Sequence, residues 1–124
     1  MDKDKDKLKH FDKNMKRLNI KYKRIKGVDG KKEKKNYNTK LRCGELGCLL
    51  SHINVLKDAI KNNYNNILIF EDDAVFHKNF HEEFRKKYNY LMKNEKSFDL
   101  IYLGCSQKHR WRNIDIKEHY YKAR

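Results

Sequence analysis

Proline is absent from this chain and glycine occurs five times, while Lys, Asn, Ile and Tyr are abundant, the usage that an AT-rich coding sequence produces. Cysteine is scarce as well. Cys43, Cys48 and Cys105 cannot all pair within one chain, which excludes a dense disulfide framework and leaves reduced thiols as the expectation. No apolar run approaches the length of a bilayer-spanning helix, and the opening MDKDKDKLKH lacks the apolar region of a signal peptide. These absences predict a soluble, cytoplasmic chain without a membrane span. No internal repeat is evident, and 124 residues accommodate one domain of ordinary size with a single core.

What the chain has in excess is positive charge: 31 Lys and Arg face 17 Asp and Glu, a net charge of +14. Such a charge attracts phosphate, nucleic acid or anionic lipid without specifying which. It has two readings, the same AT-rich coding bias or a surface selected for polyanions. Hydrophobic residues, 38% of the chain, gather in runs, which distinguishes a folded core from a disordered polyelectrolyte.

Residues 1–17 read as a charged, partly helical leader, residues 18–104 as an α/β core, and residues 105–124 as a basic aromatic tail. The spacing of Phe11, Met15 and Leu18 predicts a helix that stops at Asn19. IKYKRIKGVDG predicts a short strand running into a turn over residues 27–30. KKEKKNYNTKLR predicts a charged loop, either simply solvated or facing a phosphate. The clearest helix lies in GELGCLLSHINVLKDAIKNN, where Leu46, Leu49, Leu50, Ile53, Leu56 and Ile60 share a stripe. Gly44 and Gly47 near its start would let backbone approach a neighbour or ligand. NNILIF and FDLIYLG predict buried strands of a parallel sheet, with Phe80, Phe84, Tyr88 and Leu91 marking a helix between them. Helix and strand thus alternate, the pattern of an α/β fold.

ILIFEDDAVF sets three consecutive carboxylates, Glu71, Asp72 and Asp73, at the end of the most hydrophobic segment. In open α/β sheets ligands bind beyond the carboxyl ends of the strands. Adjacent carboxylates repel one another unless a cation compensates, and oxygen ligands of this type suit Mg²⁺ or Mn²⁺ completed by water and phosphate. In extended backbone Glu71 and Asp73 point to one side and Asp72 to the other, so Glu71 and Asp73 are the predicted metal pair. The plainer alternative is that the triplet merely leaves the sheet for solvent, with one acid capping a turn.

Cys48 and His52 are four apart on the same predicted helix and share a face. With Cys43 they form C-x4-C-x3-H, a pattern suggestive of zinc, but no fourth ligand follows with the spacing of a closed site. A half-buried, hydrogen-bonded histidine is the bland alternative.

The stretch GELGCLLSHINVLKDAIKNNYNNILIFEDDAVF resembles the signature region of glycosyltransferase family 25, which includes lipooligosaccharide and procollagen galactosyltransferases. Gly44, Gly47, Cys48, Ser51, His52 and the apolar run ending in Glu71, Asp72 and Asp73 carry the likeness. Upstream YKRIKGVDG, with Asp29 and Gly30, and downstream FDLIYLG extend it over residues 18–104. The resemblance implies a partial GT-A-type, Rossmann-like nucleotide-sugar-binding domain with an incomplete sheet. It implies transfer of a hexose, galactose by analogy, from a UDP-sugar to a hydroxyl on a glycan or a hydroxylated protein. Donor binding would fall to Glu71, Asp72, Asp73, Ser51 and His52, and Mn²⁺ or Mg²⁺ to Asp73 and Glu71. Members are understood to invert at the sugar carbon, which requires a carboxylate base that the sequence does not identify.

The family's opening strand with its INL and arginine pattern has no counterpart in MDKDKDKLKH, and members continue well past DLIYLG. The expectation is therefore a truncated copy, associating with a chain that supplies the missing half; a truncated amino end would also admit the secretory lumen. Two other classes stand beside the enzyme. One is a basic nucleic-acid-binding protein, with Trp111 of KHRWRN stacking on bases, although nucleic acid is not the expected partner. The other is a non-catalytic remnant acting as an interaction module.

Overall fold

The computed structural model describes residues 5–95, 98–104, 114–116 and 121–123. They fall into two units, Met1–Phe76 and His77–Arg124.

In the first unit, α1 (Lys5–Arg17) buries Phe11 and Met15, with Leu18 beside them, along the predicted stripe. Its stop is also where the sequence puts it. Asn19 enters the left-handed region at φ 50°, a conformation that Asn tolerates better than most residues. The N–H groups of Asn19 and Ile20 return to the carbonyls of Lys16 and Met15 at 3.0 and 2.9 Å, closing a Schellman motif. α3 (Cys43–Lys61) ends the same way at Asn63, φ 54°, with Asn63 and Tyr64 bonded to Ile60 and Ala59.

Residues 20–28 form no strand, against expectation. Side chains hold this irregular segment instead of a ladder: the Tyr22 hydroxyl donates to the Asp12 carboxylate, and Lys23 Nζ reaches both Asp58 oxygens at 2.7 and 2.9 Å. The hydrogen bond to Asp12 raises the Tyr22 pKa, and the one to Asp58 raises that of Lys23.

The charged connection is more ordered than the predicted loop. Asp29 caps α2 (Gly30–Glu33) by accepting from the Lys31 N–H at 3.1 Å, and a 3₁₀ turn follows over Lys34–Asn36. Lys34 Nζ then donates to the Thr39 carbonyl at 2.6 Å and to that of Leu41, folding residues 37–41 around one ammonium group.

α2 and α3 meet backbone to backbone. A Cβ on Gly30 would lie 1.8 Å from the Cys43 carbonyl oxygen, and one on Gly47 would lie 2.7 Å from that of Val28. Gly44 is different, since a Cβ there would meet nothing within 4 Å. Ser51 locks the approach: its hydroxyl accepts from the Val28 N–H at 2.8 Å and donates to the Gly47 carbonyl at 2.6 Å.

At the start of α3, Glu45 reaches back to the Arg42 N–H at 2.8 Å and to the Arg42 guanidinium at 2.7 and 2.9 Å. Those hydrogen bonds from the Arg42 side chain and backbone hold the Glu45 carboxyl below its ordinary value. The predicted stripe of α3 is only partly covered. Leu46 is buried, whereas Leu49, Leu56 and Ile60 are exposed, Ile60 at 75%.

In the second unit, α4 (Phe80–Asn94) follows the predicted spacing, with Phe80, Phe84 and Tyr88 stacked at centroid distances of 5.7 and 5.6 Å and Leu91 buried. Near the carboxyl end, β1 (Ile114–Ile116) pairs antiparallel with β2 (Tyr121–Ala123), Asp115 opposite Lys122. Cys105 and Trp111 lie outside the described residues.

The expected partial Rossmann-like parallel sheet is not formed among the described residues. Residues 67–70 and 100–104 carry no strand, and Ile67, Leu68, Leu100 and Leu103 are exposed. The reason is physical: an apolar, β-branched run favours extended backbone, but a parallel ladder requires a neighbouring strand to accept its N–H groups. The sheet described is the antiparallel β1–β2 pair.

Gly30→Ala and Gly47→Ala are expected to lower stability by ~1–3 kcal/mol or more through overpacking, with Gly30→Ala the worse. Gly44→Ala is expected to gain up to about 0.5–1 kcal/mol from reduced unfolded-state freedom; urea denaturation midpoints of the three variants check the order. Because the Glu45 carboxyl is depressed in the folded state, its stabilisation is present above 4.5 and is lost as pH falls toward the folded value. Glu45→Gln is therefore expected to lower Tm slightly at neutral pH, with the gap to the parent closing in acid, as thermal denaturation across a pH series would record.

Candidate functional site

The acidic triplet lies on a turn in the first unit. The Ala74 N–H bonds back to the Glu71 carbonyl at 3.1 Å, so residues 71–74 fold over instead of continuing as extended chain. The assumption that Glu71 and Asp73 lie on one side of a strand therefore gives way to a turn geometry. Aromatic packing sets where the turn sits. Phe70 and Phe76, one on each side, meet edge to face at 5.0 Å, and both pack on Phe11 of α1, at 6.5 and 6.2 Å. The aromatic flanks are thus used as anchors, and the acids between them are left outside: Glu71, Asp72 and Asp73 are all exposed, as is the apolar Val75, at 94%.

α3 supplies the opposite wall. Cys48 and His52, one turn apart, face the acidic turn, and His52 Nε2 lies 3.5 Å from Glu71 Oε1. That separation exceeds an ordinary hydrogen bond. The Cys48 sulfur joins them, so that ligand atoms from all three residues lie within 4.8 Å of one another. Cys43, the other cysteine of the C-x4-C-x3-H pattern, is not in this group, nor are Asp72 and Asp73.

Ser51 is turned to a different task. Its hydroxyl proton goes to Gly47 and its oxygen receives the Val28 N–H, so it fixes the stretch that leads into Asp29 and Gly30 against α3. Of the five residues predicted to bind a donor, the fold therefore brings His52 and Glu71 together, leaves Asp72 and Asp73 beside them on the turn, and commits Ser51 to the backbone. Glu71 is the member that the sequence did not join to Cys48 and His52: the i,i+4 spacing of that pair was legible, but the approach of Glu71, nineteen positions beyond His52, was not.

Lys23 pairs with Asp58, Arg42 with Glu45 and Lys87 with Glu83, and Glu71 lies against His52. Three exposed carboxylates with oxygen donors suit a hard divalent cation in their chemistry. No helix among the described residues is long and apolar enough to cross a membrane.

The motifs that build this site also relate the chain to known proteins. The family described as "Glycosyltransferase family 25 (LPS biosynthesis protein)" matches residues 1–123. The "Glycosyltransferase 25 family member" of Anopheles gambiae is 31% identical, over 94% of this chain and 22% of its own length. "Procollagen galactosyltransferase 2" of Mus musculus is 36% identical over 49% of this chain and 10% of its own length. "Inactive glycosyltransferase 25 family member 3" of Homo sapiens is 36% identical over 52% and 11%. The chain thus spans a tenth to about a fifth of the length of these relatives. No solved structure matches. With the match running from the first residue nearly to the last, this chain belongs to glycosyltransferase family 25.

Proposed function

We propose that this chain is part of a glycosyltransferase that moves a hexose, galactose by analogy with its relatives, from a UDP-sugar to a hydroxyl acceptor on a glycan or a hydroxylated protein. The observation that carries the proposal is the acidic turn, held by the Phe70–Phe76 pair with its three carboxylates exposed beside His52. Glu71 and Asp73 would hold Mn²⁺ or Mg²⁺, with Asp72 alongside. Such an ion neutralises the diphosphate as it leaves the sugar.

The protein's own contribution is positional. The turn presents carboxylate oxygens on a chain whose net charge is +14, and a charge of that sign attracts a nucleotide diphosphate at long range. His52, half-exposed, is placed to donate to a phosphate or sugar oxygen. Ser51 keeps α3 and the Val28 to Gly30 segment in register, so its role here is positioning.

A second reading has support in the relatives' names, since the human one is named inactive. Under it the chain binds a donor without transferring the sugar. The two readings separate on turnover, measured as UDP release in the presence of acceptor.

Calorimetric titration of UDP-galactose into the chain is expected to show binding that requires Mn²⁺. Asp73→Ala should weaken it at least ~tenfold, about 1.4 kcal/mol. Binding unchanged in that variant, or indifferent to Mn²⁺, would overturn the donor site.

A further inference from the structure

We infer that Cys48, His52 and Glu71 form a binding site for a thiophilic divalent cation of the Zn²⁺ class, with the fourth coordination position open. The inference does not rest on the transfer reaction; it stands on three side chains of different chemistry brought together by two elements distant in sequence.

The donor set comes first. Thiolate, imidazole and carboxylate are the three ligand types that Zn²⁺ accepts, and three protein ligands plus one exchangeable position is the arrangement of zinc sites that bind something further. The spacing agrees. Bond lengths of about 2.0–2.3 Å at tetrahedral angles put neighbouring ligand atoms roughly 3.3–3.6 Å apart. His52 Nε2 and Glu71 Oε1 already stand at 3.5 Å, too far for a good hydrogen bond and at the edge length of such a tetrahedron. The sulfur lies within 4.8 Å of both, on an exposed side chain that would have to close by up to about an ångström to complete the set.

Both walls are held independently of any ion. α3 is seated by the Gly30–Gly47 approach and the Ser51 bridge, one turn from Cys48 and next to His52. Glu71 directly follows Phe70, which is packed on Phe11 and Phe76. Ligands mounted on restrained elements lose little freedom when they close on a cation. Charge balances too: on binding, the Cys48 thiol gives its proton to solvent, and thiolate with carboxylate neutralises the two positive charges of the ion. Asp72 and Asp73 on the same turn add negative potential in a chain that otherwise repels cations.

The site shares one carboxylate with the proposed Mn²⁺ pair. A soft ion on Cys48, His52 and Glu71 therefore competes with a hard ion on Glu71 and Asp73, and the sulfur decides which metal prevails where.

Cobalt(II) is the probe, added to the reduced, chelator-stripped full chain. The expected result is a single Co²⁺ per chain, with a thiolate-to-cobalt charge-transfer band in the near ultraviolet, strong visible bands of a four-coordinate site, and displacement by Zn²⁺. Cys48→Ser should remove the charge-transfer band. His52→Ala and Glu71→Gln should each weaken cobalt binding at least ~tenfold, while Cys43→Ser and Asp73→Ala keep the band. Far-ultraviolet circular dichroism verifies that each variant retains its helices. Absence of the band in the folded parent, its survival in Cys48→Ser, or its loss in Cys43→Ser would overturn the site. Failure of UDP-galactose binding would leave these spectra untouched, so the two proposals fall separately.

Discussion

The first unit depends on one close contact between two stretches of backbone. Gly30 and Gly47 meet where neither position has room for a Cβ, and Ser51 ties the two segments together through the Val28 N–H and the Gly47 carbonyl. With no side chains between them, the start of α2 rests directly on the first turns of α3. That contact settles which face of α3 is turned inward, and so which face carries Cys48 and His52. A sequence this charged has few apolar side chains with which to define helix packing, and backbone proximity with a half-buried hydroxyl replaces some of what a larger core would do.

The acidic turn is governed by a second device, an aromatic clasp. The rings of Phe11, Phe70 and Phe76 pack against one another, and Glu71, Asp72 and Asp73 between the last two are left exposed. Concentrating Glu71, Asp72 and Asp73 there costs mutual repulsion in an isolated turn, which a bound cation would relieve. Val75, between the turn and the Phe76 anchor, is exposed on the same loop.

Several predictions from periodicity agree with the fold. Helices at Phe11 to Leu18, over the GELGC segment and from Phe80 onward all form, and two of them stop at asparagines with positive φ. The strands do not follow, because helical spacing describes bonds a segment makes with itself, whereas a strand's bonds depend on a partner that local sequence does not name. The apolar stripe of α3 likewise marks a face that could be buried; Leu49, Leu56 and Ile60 remain exposed because packing elsewhere selects Leu46 and Ala59.

The sequence by itself determined the three longer helices and the stop of the first, the family, and the residues from which a site could be made, since each of these is written in short-range spacing and in motif order. The i,i+4 relation of Cys48 and His52 and the adjacency of the three carboxylates belong to that kind of information. Only the tertiary structure decided that Glu71 stands 3.5 Å from His52, that Ser51 is spent on the backbone, and that Gly47 but not Gly44 is the close-contact glycine. Each of these depends on where a second, distant segment comes to rest. That placement follows from glycine contact and aromatic packing summed over many residues, which no local pattern contains.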